Sequence, residues 1–313
     1  MLDPSKVVPE DNWYEIELNG GTFKVLENLY YALDRISRSD SLHGQYIWID
    51  AICISQSDLV ERALQVELIL KIYASAQKLV IWLGPGDEHV EPAGKLVHHL
   101  NLLDEDSRRA ILPESLSNPD VERILVSEYH KVEYWTALAR LFCRAWFRRA
   151  WVVQEVLLSE QSIVLCGEHE FAWQDLVTVS GFLANSPWYN VFAKPTFFAA
   201  ETKIDGTRTY DKHRMRPHLN GPAKLKAAKK TLRGKAAEDD MLLLSLIRSR
   251  RYTCSDQRDK AFSLYGLAKK FANHPERVGS RVITSLRNYL LIVETVHLHA
   301  DSTLPTRHRS TQG

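Results

Sequence analysis

Two short apolar segments separated by a helical one constrain this chain more than any other feature. Residues 46–54 read YIWIDAICI, and residues 78–83 read KLVIWL. Such short, almost continuous apolar runs are typical of strands that are buried on both faces of a sheet. The residues between them, 59–76, repeat their apolar side chains at helical spacing. We therefore predict a strand–helix–strand unit, which builds a parallel sheet with a right-handed crossover.

Local signals predict further elements on both sides of this unit. Residues 14–25 alternate around Asn19-Gly20-Gly21, a pattern that favours a β-hairpin followed by a helix. Asp58 and Glu61 have the spacing of a helix-capping box. Later in the chain the patterns predict helices over about 135–142, 145–158 and 171–183, and a strand over 162–166.

The composition excludes several classes of protein. The chain has 313 residues, a formal net charge of +1 and an ordinary globular share of hydrophobic residues, 45%, so nothing in its overall charge attracts it to nucleic acid or anionic lipid. The N-terminus does not resemble a signal peptide, and no apolar run reaches the roughly 18 residues of a membrane span. We expect a cytoplasmic protein that does not enter the membrane.

The four cysteines point to reduced thiols. None of them forms a Cys-x-x-Cys pair, which argues against a zinc site or a disulfide framework, so we expect no bound metal. Each cysteine has apolar neighbours in the sequence, which favours buried, reduced side chains. The residues are Cys53, Cys143, Cys166 and Cys254.

Residues 203–235 carry many Lys, Arg and His residues together with Gly and Pro. Such a segment can contact phosphate, but more often it is a solvated loop. It lacks the interleaved aromatic residues of a base-stacking surface, so we interpret it as linker and do not expect nucleic acid as a partner.

Three segments in order along the chain resemble the motifs of the fungal heterokaryon-incompatibility (HET) domain. Residues 46–84 are similar to its central Trp-Ile-Asp-Ala-Ile-Cys to Trp-Leu-Gly signature. Residues 143–167 resemble its Arg-x-Trp-Phe-x-Arg-x-Trp-x-x-Gln-Glu block and the Cys-Gly that follows. Residues 256–267 resemble the Asp-Lys block that often comes after the domain.

The resemblance implies a fold and a domain organisation. HET domains are regarded as distant relatives of TIR domains, which implies an α/β fold: a mostly parallel, flavodoxin-like sheet flanked by helices, with a helical insertion and a helical C-terminal extension. The family's usual opening strand has no counterpart here, so we expect the first strand to be missing. The expected units are a HET domain over 14–183, a basic linker over 184–240, a helical extension over 241–301 and a disordered tail over 302–313.

The resemblance also implies a site. Some TIR domains cleave NAD with a glutamate in a Trp-x-x-x-Glu pattern, which Trp151 and Glu155 match. Glu155 is therefore the candidate catalytic residue, and NAD is a candidate substrate rather than a bound cofactor. Asp50, Ser55, Arg62 and Trp151 are the candidate binding residues, because ligands of wound α/β sheets lie beyond the carboxyl ends of the strands. A carboxylate suits an oxocarbenium-like ribosyl cation.

Each candidate has a structural alternative. Glu155 can simply pair with Arg148 or Arg149 on the helix surface. Asp50 can be a buried carboxylate bonded to loop N–H groups, because a buried Asp needs partners in either case. Arg62 can form a structural salt bridge instead of holding a phosphate.

Three functions stay open at this point. The resemblance implies a role in non-self recognition and programmed cell death, which the chain would carry out as a NAD-cleaving enzyme. Alternatively, it is a non-catalytic signalling module that self-associates or docks an unknown protein through residues 59–76 and 145–158. The absent first strand also allows an inactive, truncated copy.

Overall fold

A β-hairpin opens the part of the chain that the computed structural model describes. Strands β1 (Trp13–Leu18) and β2 (Gly21–Leu26) pair antiparallel. Asn19 and Gly20 form the turn, with φ of 52° and 77°, as a two-residue hairpin turn requires. Helix α1 (Glu27–Ser37) follows directly, so the predicted hairpin and helix are confirmed. The described residues are 12–55, 58–117, 124–125, 127–194, 217–219 and 221–233.

A second sheet lies at the centre of the fold. Its strands β3 (Leu79–Trp82), β4 (Ser162–Cys166) and β5 (His169–Ala172) are ordered β3-β4-β5. β3 and β4 are parallel, with Leu79 opposite Ser162, whereas β4 and β5 are antiparallel. The α/β class is confirmed, but this described sheet is small and mixed. The mostly parallel, flavodoxin-like sheet stays a prediction.

The predicted strand over residues 46–54 is wrong. Residues 45–49 have no regular secondary structure, and α2 (Asp50–Cys53) is a single helical turn. The Asp50 carboxylate accepts a hydrogen bond from the Ala51 N–H at 2.8 Å, and such local bonds compete with a strand ladder. Consequently the parallel partner of β3 is β4, which follows a long helical crossover.

Two predicted helices have different bounds from those expected. The segment 145–158 is divided into a 3-10 turn, Ala145–Arg148, and a separate helix α7 (Val152–Leu158), because Arg149 is extended with ψ of 137°. The helix predicted from residue 171 starts at Trp173, since the residues before it pair with β4. The remaining helices are α3 (Leu59–Ser75), α4 (Val90–Leu102), α5 (Glu105–Ala110), α6 (Val132–Leu141), α7 (Val152–Leu158), α8 (Trp173–Ala184), α9 (Trp188–Ala193) and α10 (Gly221–Arg233).

The two faces of the central sheet pack against different partners. Alternate strand residues point to opposite faces. Ile81 and Val164 face the main core, which α4, α6, α7 and α8 also build. Within that core the rings of Trp135 and Trp188 stack, with centroids 3.8 Å apart. Leu165 faces the other side, where residues of the N-terminal segment cover it.

Several sequence predictions fall outside the described residues. They include the third family-like segment at 256–267, the helical extension at 241–301, the tail and Cys254. Among the residues that are described, no helix has both the length and the hydrophobicity needed to cross a bilayer.

Candidate functional site

Glu155 lies in the most enclosed helix of the described fold. All seven residues of α7 are buried, and the Glu155 side chain is only 8% exposed. Helices α3 and α10 both pack against α7. The Glu155 N–H donates to the Trp151 carbonyl at 3.2 Å, so the two residues are one turn apart, as predicted. The carboxylate is therefore in the interior rather than on a helix surface.

The surroundings of Glu155 favour its protonated form. Burial raises the pKa of the Glu155 carboxyl above its ordinary value, and repulsion from Asp50 adds to the rise. Attraction to Arg149 and a hydrogen bond from the Trp146 side chain lower that pKa, but less than burial raises it.

Tyr73, near the end of α3, interacts electrostatically with Glu155, Asp50 and Arg149. Burial raises the pKa of its hydroxyl well above the ordinary value, with further contributions from Glu155 and Asp50 and an opposing one from Arg149. Its ring meets that of Trp48 edge-on, with centroids 5.9 Å apart.

We call Asp50, Tyr73, Arg149 and Glu155 the carboxylate cluster. Asp50 and Arg149 are exposed, Tyr73 is half-buried and Glu155 is buried. The cluster therefore reaches from the surface into the interior. It joins α2, α3 and α7, although no strand carries Asp50.

The other predicted site residues take different positions. Ser55 is exposed, and its N–H donates to the Glu61 carboxylate at 3.2 Å. The Asp58 carboxylate accepts from the Glu61 N–H at 3.1 Å, which confirms the predicted helix cap. Trp151 is half-buried at the N-cap of α7. Arg62 lies in α3, and its side chain is outside the described ones.

Glycines close the carboxyl ends of β3 and β4. Gly84 follows β3 with φ of 108°, and Gly167 follows β4 with φ of 53°. The Gly167 N–H donates to the Gly84 carbonyl at 3.0 Å. A Cβ on Gly167 would lie 2.6 Å from the Gly86 Cα. This is too close for two carbon atoms, so only glycine fits at this position.

Arg144 fastens the same loops. Its guanidinium donates to the Pro85 carbonyl at 2.8 Å and to the Asp87 carboxylate at 2.7 Å. We call Gly84, Gly86, Asp87, Arg144 and Gly167 the strand-end cluster. The strand topology predicted a ligand at the carboxyl ends of β3 and β4. In the structure, this position holds protein groups that form hydrogen bonds with one another.

Three residues of the site were not identified as such from sequence. Tyr73 lies in the predicted helix over 59–76, Trp146 belongs to the family-like block over 143–167, and Arg149 was considered only as a surface partner of Glu155. The Arg-Arg-Ala-Trp spacing before Glu155 was the available signal for Arg149. For Tyr73 no signal existed, since only packing of α3 on α7 brings it near Glu155.

The carboxylate cluster suits chemistry that develops positive charge. A buried carboxyl with a raised pKa, beside a second carboxylate, can stabilise a cation or exchange a proton. Nearby aromatic rings provide flat apolar surface for a ring-shaped group.

The fold and this cluster define a class of protein: an α/β domain with a buried glutamate at the end of a family-like Trp-x-x-x-Glu motif. Comparison with known sequences gives the family. Residues 5–155 match the family "Heterokaryon incompatibility protein (HET)". This part of the chain is a heterokaryon incompatibility domain.

A curated relative carries the same name. The chain is 33% identical over 140 residues to "Heterokaryon incompatibility protein 6, OR allele" of Neurospora crassa. The aligned part covers 39% of this chain and 20% of the relative, so the chain spans about a fifth of that protein's length. No solved structure matches the chain.

Proposed function

We propose that this chain acts in fungal heterokaryon incompatibility and that its carboxylate cluster cleaves NAD at the bond between nicotinamide and ribose. The family match and the Neurospora relative support the biological role. The position of Glu155 supports the chemistry. Cell death on non-self recognition is the expected consequence of NAD loss.

The burial of Glu155 is the observation that carries this proposal. A buried carboxylate costs free energy unless charges and hydrogen bonds compensate it. Here burial and Asp50 oppose the ionised form, and attraction to Arg149 and a hydrogen bond from Trp146 offset this in part. Groups arranged against stability in this way are concentrated at functional sites.

In the proposed reaction the bond between the nicotinamide nitrogen and ribose C1′ breaks, and nicotinamide leaves with the bonding electron pair. The ionised Glu155 carboxylate stabilises the positive charge that develops at C1′. Water then adds to C1′ and transfers a proton to the same carboxylate. Because Glu155 must be ionised at the start, the rate rises as pH increases through its raised pKa.

The test measures nicotinamide release from NAD by the purified full chain. Glu155→Gln keeps the size of the side chain and its capacity to accept from Trp146, but removes the charge, so we expect release to stop. Glu170→Gln is the matched control, since Glu170 is an exposed strand residue. Full release by the Glu155 variant would exclude this residue from the reaction.

A non-catalytic signalling module is the second candidate. The segment 145–158, expected as one docking surface, includes α7, which is buried. Exposed large apolar residues instead concentrate in the N-terminal part. Six of the nine among the described residues lie between residues 13 and 47: Trp13, Leu18, Phe23, Tyr31, Tyr46 and Ile47.

The two candidates differ in which variant loses toxicity. A signalling module keeps its toxicity in fungal cells when Glu155 becomes Gln and loses it when Phe23 becomes Ser. The enzyme shows the reverse pattern. Expression level and thermal stability of each variant serve as the control for folding.

A further inference from the structure

The C-terminal end of α7 is held by a side chain from a distant helix. A helix leaves its last carbonyls without intrahelical donors, and a buried helix end needs partners for them. Lys229 of α10 supplies them: its ammonium donates to the Val156 carbonyl at 3.2 Å and also to the Ser159 carbonyl. A cation at this end also interacts favourably with the negative end of the helix dipole.

Ser159, one of the two residues that Lys229 contacts, forms hydrogen bonds to the backbone of Glu155. The Ser159 hydroxyl donates to the Glu155 carbonyl at 2.6 Å, and the Ser159 N–H donates to the same oxygen at 3.3 Å. These bonds close the turn that begins at Glu155. Because Lys229 bonds to the last residue of this turn, it fixes the backbone from which the Glu155 side chain extends.

Lys229 is itself anchored. Leu225, one turn earlier in α10, is buried in the main core. The Ala223 N–H donates to the Ser180 hydroxyl of α8 at 3.2 Å, and that hydroxyl donates to the Leu219 carbonyl. α10 is therefore docked on both α7 and α8, and the ammonium extends from a fixed helix.

We propose that Lys229 is a positioning residue for Glu155, acting through the last turn of α7. The catalytic part of this inference rests on the proposed NAD cleavage. Since Lys229 lies beyond the family match at residues 5–155, the unit that holds the site extends at least to α10, within the segment that the sequence suggested was linker.

Hydrogen exchange of the full chain tests the contact. Lys229→Met keeps the apolar stem and removes the ammonium, so we expect amides 156–159 to exchange about tenfold faster, in line with the loss of charged hydrogen bonds. Lys226→Met is the matched control, because Lys226 is exposed on the same helix. Equal protection of α7 in the two variants overturns the proposal, whereas partial recovery in Lys229→Arg supports it.

Kinetics separates positioning from simple support of the fold. At a temperature where every variant is folded, we expect Lys229→Met to lower kcat for NAD about tenfold with KM unchanged, while Lys226→Met changes neither. Faster exchange of α7 with an unchanged kcat overturns the positioning role. If the wild-type chain releases no nicotinamide, the proposed function fails, and the exchange experiment alone still decides whether Lys229 holds the turn.

Discussion

The strand-end cluster and the carboxylate cluster differ in how their charges are satisfied. In the strand-end cluster, Arg144 bonds both a carbonyl and the Asp87 carboxylate, and glycine backbones close the remaining space. In the carboxylate cluster, Glu155 is buried with a second carboxylate nearby and with its pKa raised. The comparison indicates that one family-like motif, residues 143–167, contributes to both clusters. Its Arg144 and Gly167 stabilise the fold, while its Glu155 opposes stability.

The largest effect should come from Gly167→Ala. The new Cβ would lie 2.6 Å from Gly86 backbone atoms at a φ of 53°, so we expect a loss of about 3 kcal/mol in the free energy of unfolding. Gly20→Ala is the control, because it has a φ of 77° but nothing within 4 Å, and should cost only about 1 kcal/mol. Urea unfolding measures both. Equal losses would show that backbone strain, rather than contact between the two loops, is what requires glycine.

A smaller loss should follow Arg144→Met. The side chain of Asp87 is 40% exposed, so solvent weakens the ion pair, and we expect about 1 kcal/mol, mainly from the bond to the Pro85 carbonyl. Arg109→Met removes an exposed pair with Glu105 instead and should change stability by less than about 0.5 kcal/mol. If Arg144→Met changes stability as little as this control, Arg144 does not stabilise the fold, and the contrast between the two clusters is lost.

Glu155→Gln should increase the free energy of unfolding at neutral and alkaline pH but not at acidic pH. Because burial raises the folded-state pKa of Glu155, the contribution of this group to stability is fully present below its unfolded pKa and is lost as pH rises through the folded pKa. The variant should therefore match wild type near pH 4 and be more stable than wild type at pH 8. Unfolding curves at both pH values measure this. A variant that is less stable at pH 8 would mean that attraction to Arg149 outweighs burial.

The smallest effect concerns thiol reactivity. Burial raises the pKa of Cys143 to about 12 and that of Cys166 to about 11, whereas Cys53, the last residue of α2, is exposed. Iodoacetamide at pH 8 should modify Cys53 in the native protein and the other two only after unfolding, since the thiolate is the nucleophile. Peptide mapping by mass spectrometry measures the three sites separately. Rapid native modification of Cys166 would show that the strand-end cluster is open.

Elements with a strong local signal were predicted well. Asn19-Gly20 specified the hairpin turn, and the apolar run of β4 matched its strand. The run at 46–54 was misassigned, because a short apolar segment does not by itself distinguish strand from helix or loop.

The candidate site was predicted in part. Sequence reasoning selected Asp50 and Glu155, and the structure brings these two carboxylates into electrostatic contact. The sequence reasoning chose Asp50 for the wrong reason, since it placed Asp50 at the end of a strand and the residue lies on a helical turn. Whether either residue acts on NAD stays a prediction.

The sequence by itself determined the family, the hairpin, the strands β3 and β4, and the glutamate that ends the Trp-x-x-x-Glu motif, because each depends on residues close together in the chain. Only the tertiary structure decided that α7 is enclosed, that Tyr73 and Arg149 flank Glu155, and that Lys229 bonds the end of that helix. Burial and the field of distant charges depend on how helices far apart in sequence pack together, and the order of residues in each segment does not specify that packing.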